Sequence, residues 1–257
     1  MVVVLFEPTL PDPEFNAFRG AQGATCFHFV HHCSAIASEK DRLFSLLPVS
    51  PGSFHCQLFP AFVRSRGQQP SMEMRRTMLE TERLIMRPWQ DSDAASLYKY
   101  ASDDRVGPIA GWPVHQSEEE SLEIIRTVFS HPEVYAVTLK ENNVAIGMVG
   151  LLIGKDSNFD IAANEAEVAY WIGVPFWGKG LIPEAVKELM RHAFEDLKMA
   201  ALWCGYFAEN EQSFKAQAKC GFKHHHTEEK QFNQFMNDHR VEHISCIGKD
   251  EWLDLRK

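Results

Sequence analysis

The stretch "YWIGVPFWGKGLIPEA" (Tyr170–Ala185) joins an apolar, aromatic run to the start of a helix through three glycines and two prolines. A strand–turn–helix junction of this kind presents backbone N–H groups and the positive end of the helix dipole. Both features favour an anion, and phosphate is the anion that such junctions commonly bind. The stretch therefore predicts a phosphate-binding loop.

The loop imitates two nucleotide-binding motifs without completing either. Gly173–Gly180 reads G-x-x-x-x-G-K-G, but a P-loop needs a hydroxyl after the lysine to hold magnesium, and Gly180 stands there. The next predicted strand, "AALWCGYF", offers no carboxylate as a second metal ligand. A dinucleotide fingerprint would need a glycine where Pro183 stands, although proline suits a first helical turn. The loop is thus expected to bind phosphate without a metal.

The composition is that of an ordinary globular protein. The 257 residues are 45% hydrophobic and 24% charged, and no stretch approaches 18 uninterrupted apolar residues. The opening "MVVVLFEPTLPDPE" has no basic region of the kind that begins a signal peptide. The six cysteines form no C-x-x-C pair, so neither a zinc ribbon nor a disulfide framework is indicated. We expect a cytoplasmic protein with reduced thiols.

Charge is distributed unevenly along the chain. Residues 1–77 contain six acidic and seven basic residues, so residues 78–257 carry a net charge of −10 against −9 for the whole chain. A negative domain disfavours nucleic acid as a partner and favours cationic partners such as amines.

The first 77 residues differ from the rest in pattern. They lack sustained hydrophobic periodicity and end in the polar string "RSRGQQPSMEMRR". We expect residues 1–77 to be a poorly ordered or loosely attached extension and residues 78–257 to form the domain. A small folded subdomain is the alternative, and a chain starting at Met78 that lost cooperative melting would favour it.

From Met78 onward, strand and helix patterns alternate. Strands are predicted at Glu82–Trp89, 134–139, 143–154, 166–173, 200–207 and 241–248. Helices are predicted to begin at a cap at Asp91 or Ser92, at Ser117 in capping-box spacing with Glu120, just after Gly180, and at Asn210, the last ending at Gly221. The predicted fold is mixed α/β, largely antiparallel in its first half and followed by a βαβ unit.

Two strings, "EVAYWIGVPFWGKGLIPEAVKELMRHAFEDL" and "NEQSFKAQAKCGF", resemble the GNAT acyl-CoA N-acyltransferase superfamily in its ribosomal-protein-acetylating (RimJ/RimL-like) branch. The resemblance covers about Met78 to Trp252. The pyrophosphate signature of that family, Q/R-x-x-G-x-G/A, falls on residues 177–182. Only Gly180 matches it strictly, since Trp177 replaces the Gln or Arg and Ile182 replaces a small residue.

The resemblance implies a fold in which two central strands, here 166–173 and 200–207, splay apart and admit the pantetheine arm of acetyl-CoA. It implies no metal. The implied pantetheine contacts are Trp171, Ile172, Gly173, Val174 and Asn210, and the implied pyrophosphate contacts are Gly178, Lys179, Gly180, Leu181 and Ile182. Asn210 can also cap the helix that it opens.

Acetyl transfer from a thioester to an amine needs a neutral amine, a polarised carbonyl and a proton for the departing thiolate. Glu167 matches the glutamate of the family's E-x-G-Y-W-I run and is the candidate base, with Glu165 as its rival. A backbone N–H near Ile172 is the candidate donor to the carbonyl oxygen. Ser213 is the candidate acid for the thiolate, and Tyr206 is the alternative.

Other patterns leave alternatives open. The histidines of "KHHHTEEK" (Lys223–Lys230) are not expected to bind a metal, because adjacent strand residues point to opposite faces. "FVHHCS", near residue 31, is not expected to do so either. The departures at Trp177 and Ile182 allow a catalytically idle acyl-CoA-binding module. The sequence identifies neither the amine acceptor nor the choice between a monomer and a homodimer.

Overall fold

One mixed sheet of eight strands organises residues 77–257, the part of the chain that the computed structural model describes. The strands are β1 (Leu79–Glu80), β2 (Leu84–Pro88), β3 (Val134–Leu139), β4 (Ala145–Ile153), β5 (Glu165–Ile172), β6 (Ala201–Phe207), β7 (Lys223–Asn233) and β8 (Asp238–Gly248). The helices are α1 (Ala94–Ala101), α2 (Gly107–Ala110), α3 (Glu118–Thr127), α4 (Leu181–Arg191), α5 (Glu211–Cys220) and α6 (Lys249–Asp254). The predicted mixed α/β class is confirmed, whereas the expectations for residues 1–76 lie outside the described residues.

The order of the strands places one parallel pair inside an otherwise antiparallel sheet. The order is β1-β2-β3-β4-β5-β6-β8-β7, and β5 with β6 is the parallel pair. Parallel neighbours need a crossover connection, and α4 supplies it between β5 and β6. This is the predicted βαβ unit.

The parallel pair separates almost as soon as it forms. β5 pairs with β4 from Ala166 to Ile172, but with β6 only from Glu165 to Glu167. The partner of Glu167 is Trp203, and β6 continues to Phe207 without pairing to β5. The two strands therefore enclose an opening beyond Glu167 and Trp203.

Helix α4 covers the sheet with an apolar stripe that the i, i+3, i+4, i+7, i+8 and i+11 spacing in the sequence predicts: Val186, Leu189, Met190, Ala193, Phe194 and Leu197. Its buried side chains are Leu181, Ile182, Ala185, Val186, Leu189 and Met190. A π-helical turn over His192–Asp196 follows directly and buries Ala193 and Phe194. Leu197, the last member of the predicted stripe, is only half-buried, since the extra residue of the π-turn shifts the stripe.

The predicted N-cap of α3 is observed, whereas the predicted N-cap of α1 is not. Ser117 accepts the N–H of Glu120 as predicted, although the Glu120 carboxylate accepts the N–H of Gln116. The predicted cap of α1 at Asp91 or Ser92 is wrong. A 3₁₀ turn over Asp91–Asp93 precedes α1, and the buried carboxylate of Asp93 accepts two hydrogen bonds from Arg87, at 2.7 and 2.9 Å.

Four elements were not predicted from the sequence: the two-residue β1, and β7, α2 and α6. Strand β7 is polar and almost entirely exposed, so it shows no alternation of buried and exposed residues. It forms by backbone pairing to β8 across two bulges, one of them between His224 and His226. The α2 and α6 helices have four and six residues, too few to show a helical period.

A buried histidine links the end of α4 to the start of β3. The Nε2 of His192 lies 3.0 Å from Glu133, and its Nδ1 lies 2.8 Å from Asp196. Because both ring nitrogens face carboxylates, only the doubly protonated ring satisfies both. The hydrogen bond to Glu133 is the main reason that the pKa of His192 is raised. Burial alone would raise the pKa of Glu133, but hydrogen bonds from His192 and Tyr135 outweigh burial and lower it.

These shifts predict a pH-dependent contribution to stability. A raised histidine pKa stabilises the fold fully below the unfolded value of about 6.5 and loses that effect as pH rises through the folded value. Because the pKa of Glu133 is lowered, the stability that Glu133 contributes is fully present above about pH 4.5 and is lost as pH falls further. We expect wild type to exceed His192→Asn in unfolding free energy by about 1.5–3 kcal/mol at pH 6. The gap should narrow by pH 9 in urea melts, and a gap that widens would contradict this account.

Candidate active site

The loop before α4 has the backbone conformation that the glycines predict. Gly178 and Gly180 both have φ of 73°, the left-handed region that side chains disfavour. A methyl group on Gly178 would meet nothing within 4 Å, and one on Gly180 would meet only Arg83, at 3.9 Å. The glycines are therefore required by conformation, and the outer side of the loop is open.

Helix α4 begins at this loop without a side-chain cap. Gly180 is its N-cap, and the first intrahelical bond runs from the N–H of Glu184 to the carbonyl of Gly180. The N–H groups of Leu181 and Ile182 lie in the first turn, where a helix has no acceptors of its own. Pro183 has no N–H to satisfy. This end of α4 can thus receive an anion, as the sequence predicts.

Arg83 of the β1–β2 connection braces the same loop, a role that the sequence analysis missed. Its Nη1 donates to the carbonyl of Lys179 at 3.1 Å, and its Nε donates to Glu184 at 2.6 Å. Thr81 donates to the other carboxylate oxygen of Glu184. Glu184 is the acidic residue in the first turn of α4, so its pairing with Arg83 offsets a negative charge beside the anion site.

The resemblance implies that this loop binds the pyrophosphate of acetyl-CoA, so we expect Arg83→Gln to raise the KM for acetyl-CoA about 5-fold. The substitution removes the brace and a partly exposed charge pair worth about 1 kcal/mol. Steady-state kinetics should show little change in kcat. S-acetylpantetheine lacks the pyrophosphate, so its KM should not change, and Arg83→Lys should recover only part of the loss. An equal loss with both thioesters would contradict a role at the phosphate loop.

The hydrogen-bond register of β5 decides which backbone groups face the opening. The N–H of Gly173 donates to the carbonyl of Ile146 on β4, at 2.9 Å. Backbone groups alternate in direction along an antiparallel strand, so those of Ile172 point away from β4 and toward β6. Trp177 donates its indole N–H to the carbonyl of Ile172, at 2.9 Å. The tryptophan that replaces the signature Gln or Arg therefore ties the loop to the strand end.

The other predicted pantetheine contacts are placed differently. The side chain of Trp171 is buried against Trp112, with ring centroids 6.1 Å apart. The carbonyls of Gly173 and Val174 accept from the N–H groups of Phe176 and Trp177. Of the segment 171–174, Ile172 turns its backbone toward the opening.

Asn210 and Ser213 lie together at the start of α5. The Oδ1 of Asn210 accepts the N–H of Ser213 at 3.1 Å, so Asn210 caps the helix. The buried hydroxyl of Ser213 lies 2.8 Å from the hydroxyl of Tyr170 and 3.3 Å from Nε2 of Gln217. Burial raises the pKa of Tyr170 well above its usual value, so this phenol stays protonated. Tyr170, which the sequence analysis missed as a site residue, thus supports Ser213.

The alternative acid, Tyr206, lies elsewhere. Its ring packs against Phe214 and His243, with centroids 5.7 and 5.1 Å away. It does not line the cavity that contains Ser213 and Tyr170.

A mostly apolar cavity of about 290 Å³ joins the loop to the opening between the strands. It brings together seven of the predicted site residues: Ile172, Gly178, Gly180, Leu181, Ile182, Asn210 and Ser213. It does not include Glu167, Trp171, Gly173, Val174 or Lys179. Tyr170, Trp177, Lys215 and Lys219 also line it, and the two lysines add positive charge beside the anion site.

Glu167 lies on the opposite face of the sheet from Tyr170, at the point where β5 and β6 separate. It is fully buried, and its Oε2 accepts hydrogen bonds from the Ser157 hydroxyl and from both the main-chain N–H and the side-chain amide of Asn158, at 2.8–2.9 Å. Its Oε1 has no partner among the described residues. Burial outweighs these bonds and raises the pKa of Glu167.

The rival carboxylate, Glu165, is already engaged. Its Oε2 accepts the indole N–H of Trp203 at 2.8 Å and the N–H of Ala162 at 3.3 Å. Glu165 is also farther than Glu167 from the opening, since the strands are still paired there. The geometry favours Glu167 as the carboxylate nearest to the opening.

Residues 77–257 contain neither a cluster of metal ligands nor a membrane-spanning helix. No group of three or more His, Cys, Asp or Glu residues there is arranged to hold a metal ion. No helix in the same range is long and apolar enough to cross a membrane.

Comparison with known proteins assigns the family. The model of the acetyltransferase (GNAT) domain matches residues 83–223, more than half of the chain. The protein named Uncharacterized N-acetyltransferase YoaA, from Bacillus subtilis (strain 168), is 24% identical over 151 residues, which cover 57% of this chain and 82% of that protein.

Solved structures share the fold. A GNAT-family acetyltransferase from Bacillus anthracis superposes with a TM-score of 0.60 at 18% identity and covers 68% of this chain and 99% of its own. A ribosomal-protein-S5-alanine acetyltransferase from Vibrio fischeri gives a TM-score of 0.54 at 21% identity, covering 68% of this chain and 98% of its own. With the loop, the splayed strands and the matched domain in agreement, the chain belongs to the GNAT family and is an N-acetyltransferase.

Proposed function

We propose that the protein transfers the acetyl group of acetyl-CoA to a primary amine by direct attack in a ternary complex. The observation that carries this proposal is the cavity, which runs from the open loop at Gly178 and Gly180 to the buried pair Tyr170 and Ser213. A pyrophosphate would fit the end of the cavity at the loop, and a thioester would fit the end at the buried hydroxyl groups. No metal takes part in the proposed reaction.

Separate groups of residues bind the pyrophosphate, the pantetheine arm and the thioester. The N–H groups from Gly178 to Ile182 hold the pyrophosphate, with Lys179 contributing only a surface charge. The pantetheine arm lies along the cavity beside Ile172 and Asn210. The apolar lining excludes water from the thioester.

The reaction needs one proton donated to the thiolate and one removed from the amine, and different residues do each. Ser213 gives its proton to the departing thiolate, and the phenol of Tyr170, 2.8 Å away, can replace it. Glu167 takes the proton of the amine through an ordered water, using Oε1, which has no partner within residues 77–257. Burial raises the pKa of Glu167, which makes this carboxylate a stronger base than an exposed glutamate.

The acceptor is an α-amine of a protein N-terminus or a small-molecule amine. An α-amine with a pKa near ~8 costs about 1.4 kcal/mol to deprotonate at pH 7, whereas a lysine near ~10.4 costs roughly 4.6 kcal/mol. A base that acts through water therefore suits the α-amine better. The negative charge of residues 78–257 also favours an amine over a nucleic acid or a membrane surface.

Free-thiol release from acetyl-CoA, measured over a panel of peptide and small-molecule amines, tests the proposal. We expect amine-dependent release that saturates in both substrates. Binding of acetyl-CoA without turnover over the whole panel would instead identify an idle acyl-CoA-binding module.

A further inference from the structure

A segment of three residues that begins at Ser157, between β4 and β5, lies against both strands that border the opening. On the β5 side, Ser157 and Asn158 donate hydrogen bonds to the carboxylate of Glu167. On the β6 side, a methyl group on Gly205 would lie 3.0 Å from Cζ of Phe159. The segment therefore contacts both strands close to the point where their pairing ends.

All of the hydrogen bonds from this segment to Glu167 end on one oxygen. The Oε2 of Glu167 accepts the hydroxyl of Ser157 at 2.9 Å, and it accepts the main-chain N–H and the side-chain amide of Asn158, both at 2.8 Å. Within residues 77–257, Oε1 has no hydrogen-bond partner. An ionised carboxylate offers about two lone-pair sites on each oxygen. Three donors therefore saturate Oε2, and Oε1 is the oxygen left to take a proton.

The chemistry of the partners fixes the direction of these bonds. A carboxylate oxygen without a proton can only accept, so Nδ2 of Asn158, and not its Oδ1, faces Glu167. The Oγ of Ser157 accepts the N–H of Phe159 at 3.0 Å, while its own hydrogen is donated to Glu167. The three groups can therefore donate to Oε2 in both protonation states of Glu167.

This asymmetry lets the carboxyl group change its charge without rearrangement. In the proposed reaction, Oε1 takes a proton from the ordered water as that water takes one from the amine. The neutral carboxyl group keeps its three hydrogen bonds through Oε2, which is then its carbonyl oxygen. A proton on Oε2 would instead displace a donor, and a buried donor without an acceptor is costly.

Resting on the proposed function, in which Glu167 is the base, we propose that Ser157 and Asn158 are positioning residues that anchor Oε2 of Glu167 and leave Oε1 to take the proton. Neither residue is assigned a contact with a reacting atom, so both act through Glu167.

The charges around Glu167 agree with this arrangement. Burial raises the pKa of Glu167, and the first of the hydrogen bonds that oppose this rise comes from the side-chain amide of Asn158. Glu242 of β8 and Cys204 of β6 also interact electrostatically with Glu167. Asn158 itself is exposed, so its side chain can be shortened without opening a cavity in the core.

Infrared difference spectra of the full chain between low and high pH, without substrate, test which oxygen takes the proton. The band that disappears in Glu167→Gln belongs to this carboxyl group. We expect its C=O stretch at a lower frequency than that of a carboxylic acid in an apolar solvent, because Oε2 keeps its donors. Asn158→Ala should raise that frequency, and it should raise the titration midpoint of the band by about one pH unit.

The pH profile of kcat links this carboxyl group to the reaction. In Asn158→Ala the midpoint on the acidic side should rise by the same amount as the infrared midpoint. The KM for acetyl-CoA should stay unchanged, since Glu167 is outside the cavity lining.

Matched variants separate positioning from general damage to this part of the chain. Ser157→Ala removes a donor and should shift both midpoints upward, whereas Ser157→Thr keeps the hydroxyl and should restore them. Asn164→Ala makes the same change as Asn158→Ala at another exposed asparagine between β4 and β5, and it should leave both midpoints unchanged.

A C=O stretch at the frequency of a free carboxylic acid that does not respond to Asn158→Ala would overturn the inference. Equal shifts in Asn164→Ala and Asn158→Ala would overturn it as well. The expected infrared changes without any shift in the kinetic midpoint would support the assignment of the two oxygens, and they would contradict the proposed role of Glu167 as the base.

Discussion

Glu167→Gln should lower kcat by roughly 10- to 1,000-fold at neutral pH, the usual contribution of a general base. Glutamine keeps the shape of the side chain and removes its basicity. The KM for acetyl-CoA should hardly change, because Glu167 lies on the face of the sheet opposite Tyr170 and outside the cavity lining. Steady-state kinetics over pH 6–10 with one amine acceptor is the measurement.

The pH profile separates a base from a merely structural carboxylate. Wild-type activity should rise with pH through the raised pKa of Glu167. The variant should recover much of its rate as pH approaches the pKa of the amine itself, since the amine then loses its proton to solvent. A variant with a wild-type kcat, or with a deficit that is the same at every pH, would show that Glu167 is not the base.

Stability provides an independent control for the same variant. A carboxyl group with a raised pKa binds its proton more tightly in the folded protein, so it opposes folding once pH exceeds that pKa. Replacing Glu167 should therefore leave the melting temperature at neutral pH unchanged or higher. Glu165→Gln is the matched variant, and it should retain most of kcat.

Gly180→Val should raise the KM for acetyl-CoA by roughly 10- to 100-fold, corresponding to the 1–3 kcal/mol of strain typical of a side chain at a left-handed position. The φ of 73° at Gly180 is especially unfavourable for a β-branched residue. Relief of that strain would turn the N–H groups of Leu181 and Ile182 away from the phosphate. Inhibition by CoA fragments with and without the pyrophosphate measures the effect directly.

Lys179→Ala is the control for Gly180→Val, because it changes the charge of the loop and leaves the glycine conformations intact. The Lys179 ammonium lies 5.5 Å from the ring of Phe176, and its loss should cost under about 1 kcal/mol as a surface charge. Losses of similar size for the two variants would indicate that charge, and not backbone conformation, dominates binding at this loop.

The sequence predicted best those features that depend on neighbouring residues along the chain. The stripe of α4 predicted its buried face, and the glycines predicted a turn before α4, in which positions 178 and 180 are left-handed. The sequence also predicted a strand over 166–173, and β5 covers Glu165–Ile172.

Other parts of the site depend on long-range register, which a single sequence does not contain. Whether Ile172 or Gly173 turns its backbone toward β6 is decided by the bond from Gly173 to Ile146. Tyr170 was expected only as part of a strand, and its role follows from its distance to Ser213, 43 residues away.

The early end of the β5–β6 pairing has a mechanical consequence for the molecule. The sheet consists of two plates, β1–β5 and β6–β8, joined along the sheet by the short rungs from Glu165 to Glu167. These rungs hold the plates together at one end of β5 and β6, while α4 packs on β1, β2, β4 and β5 of the first plate and against α5. The backbone pairing at these rungs thus fixes the width of the opening, so a change that disturbs this pairing should alter reactivity without contacting either substrate.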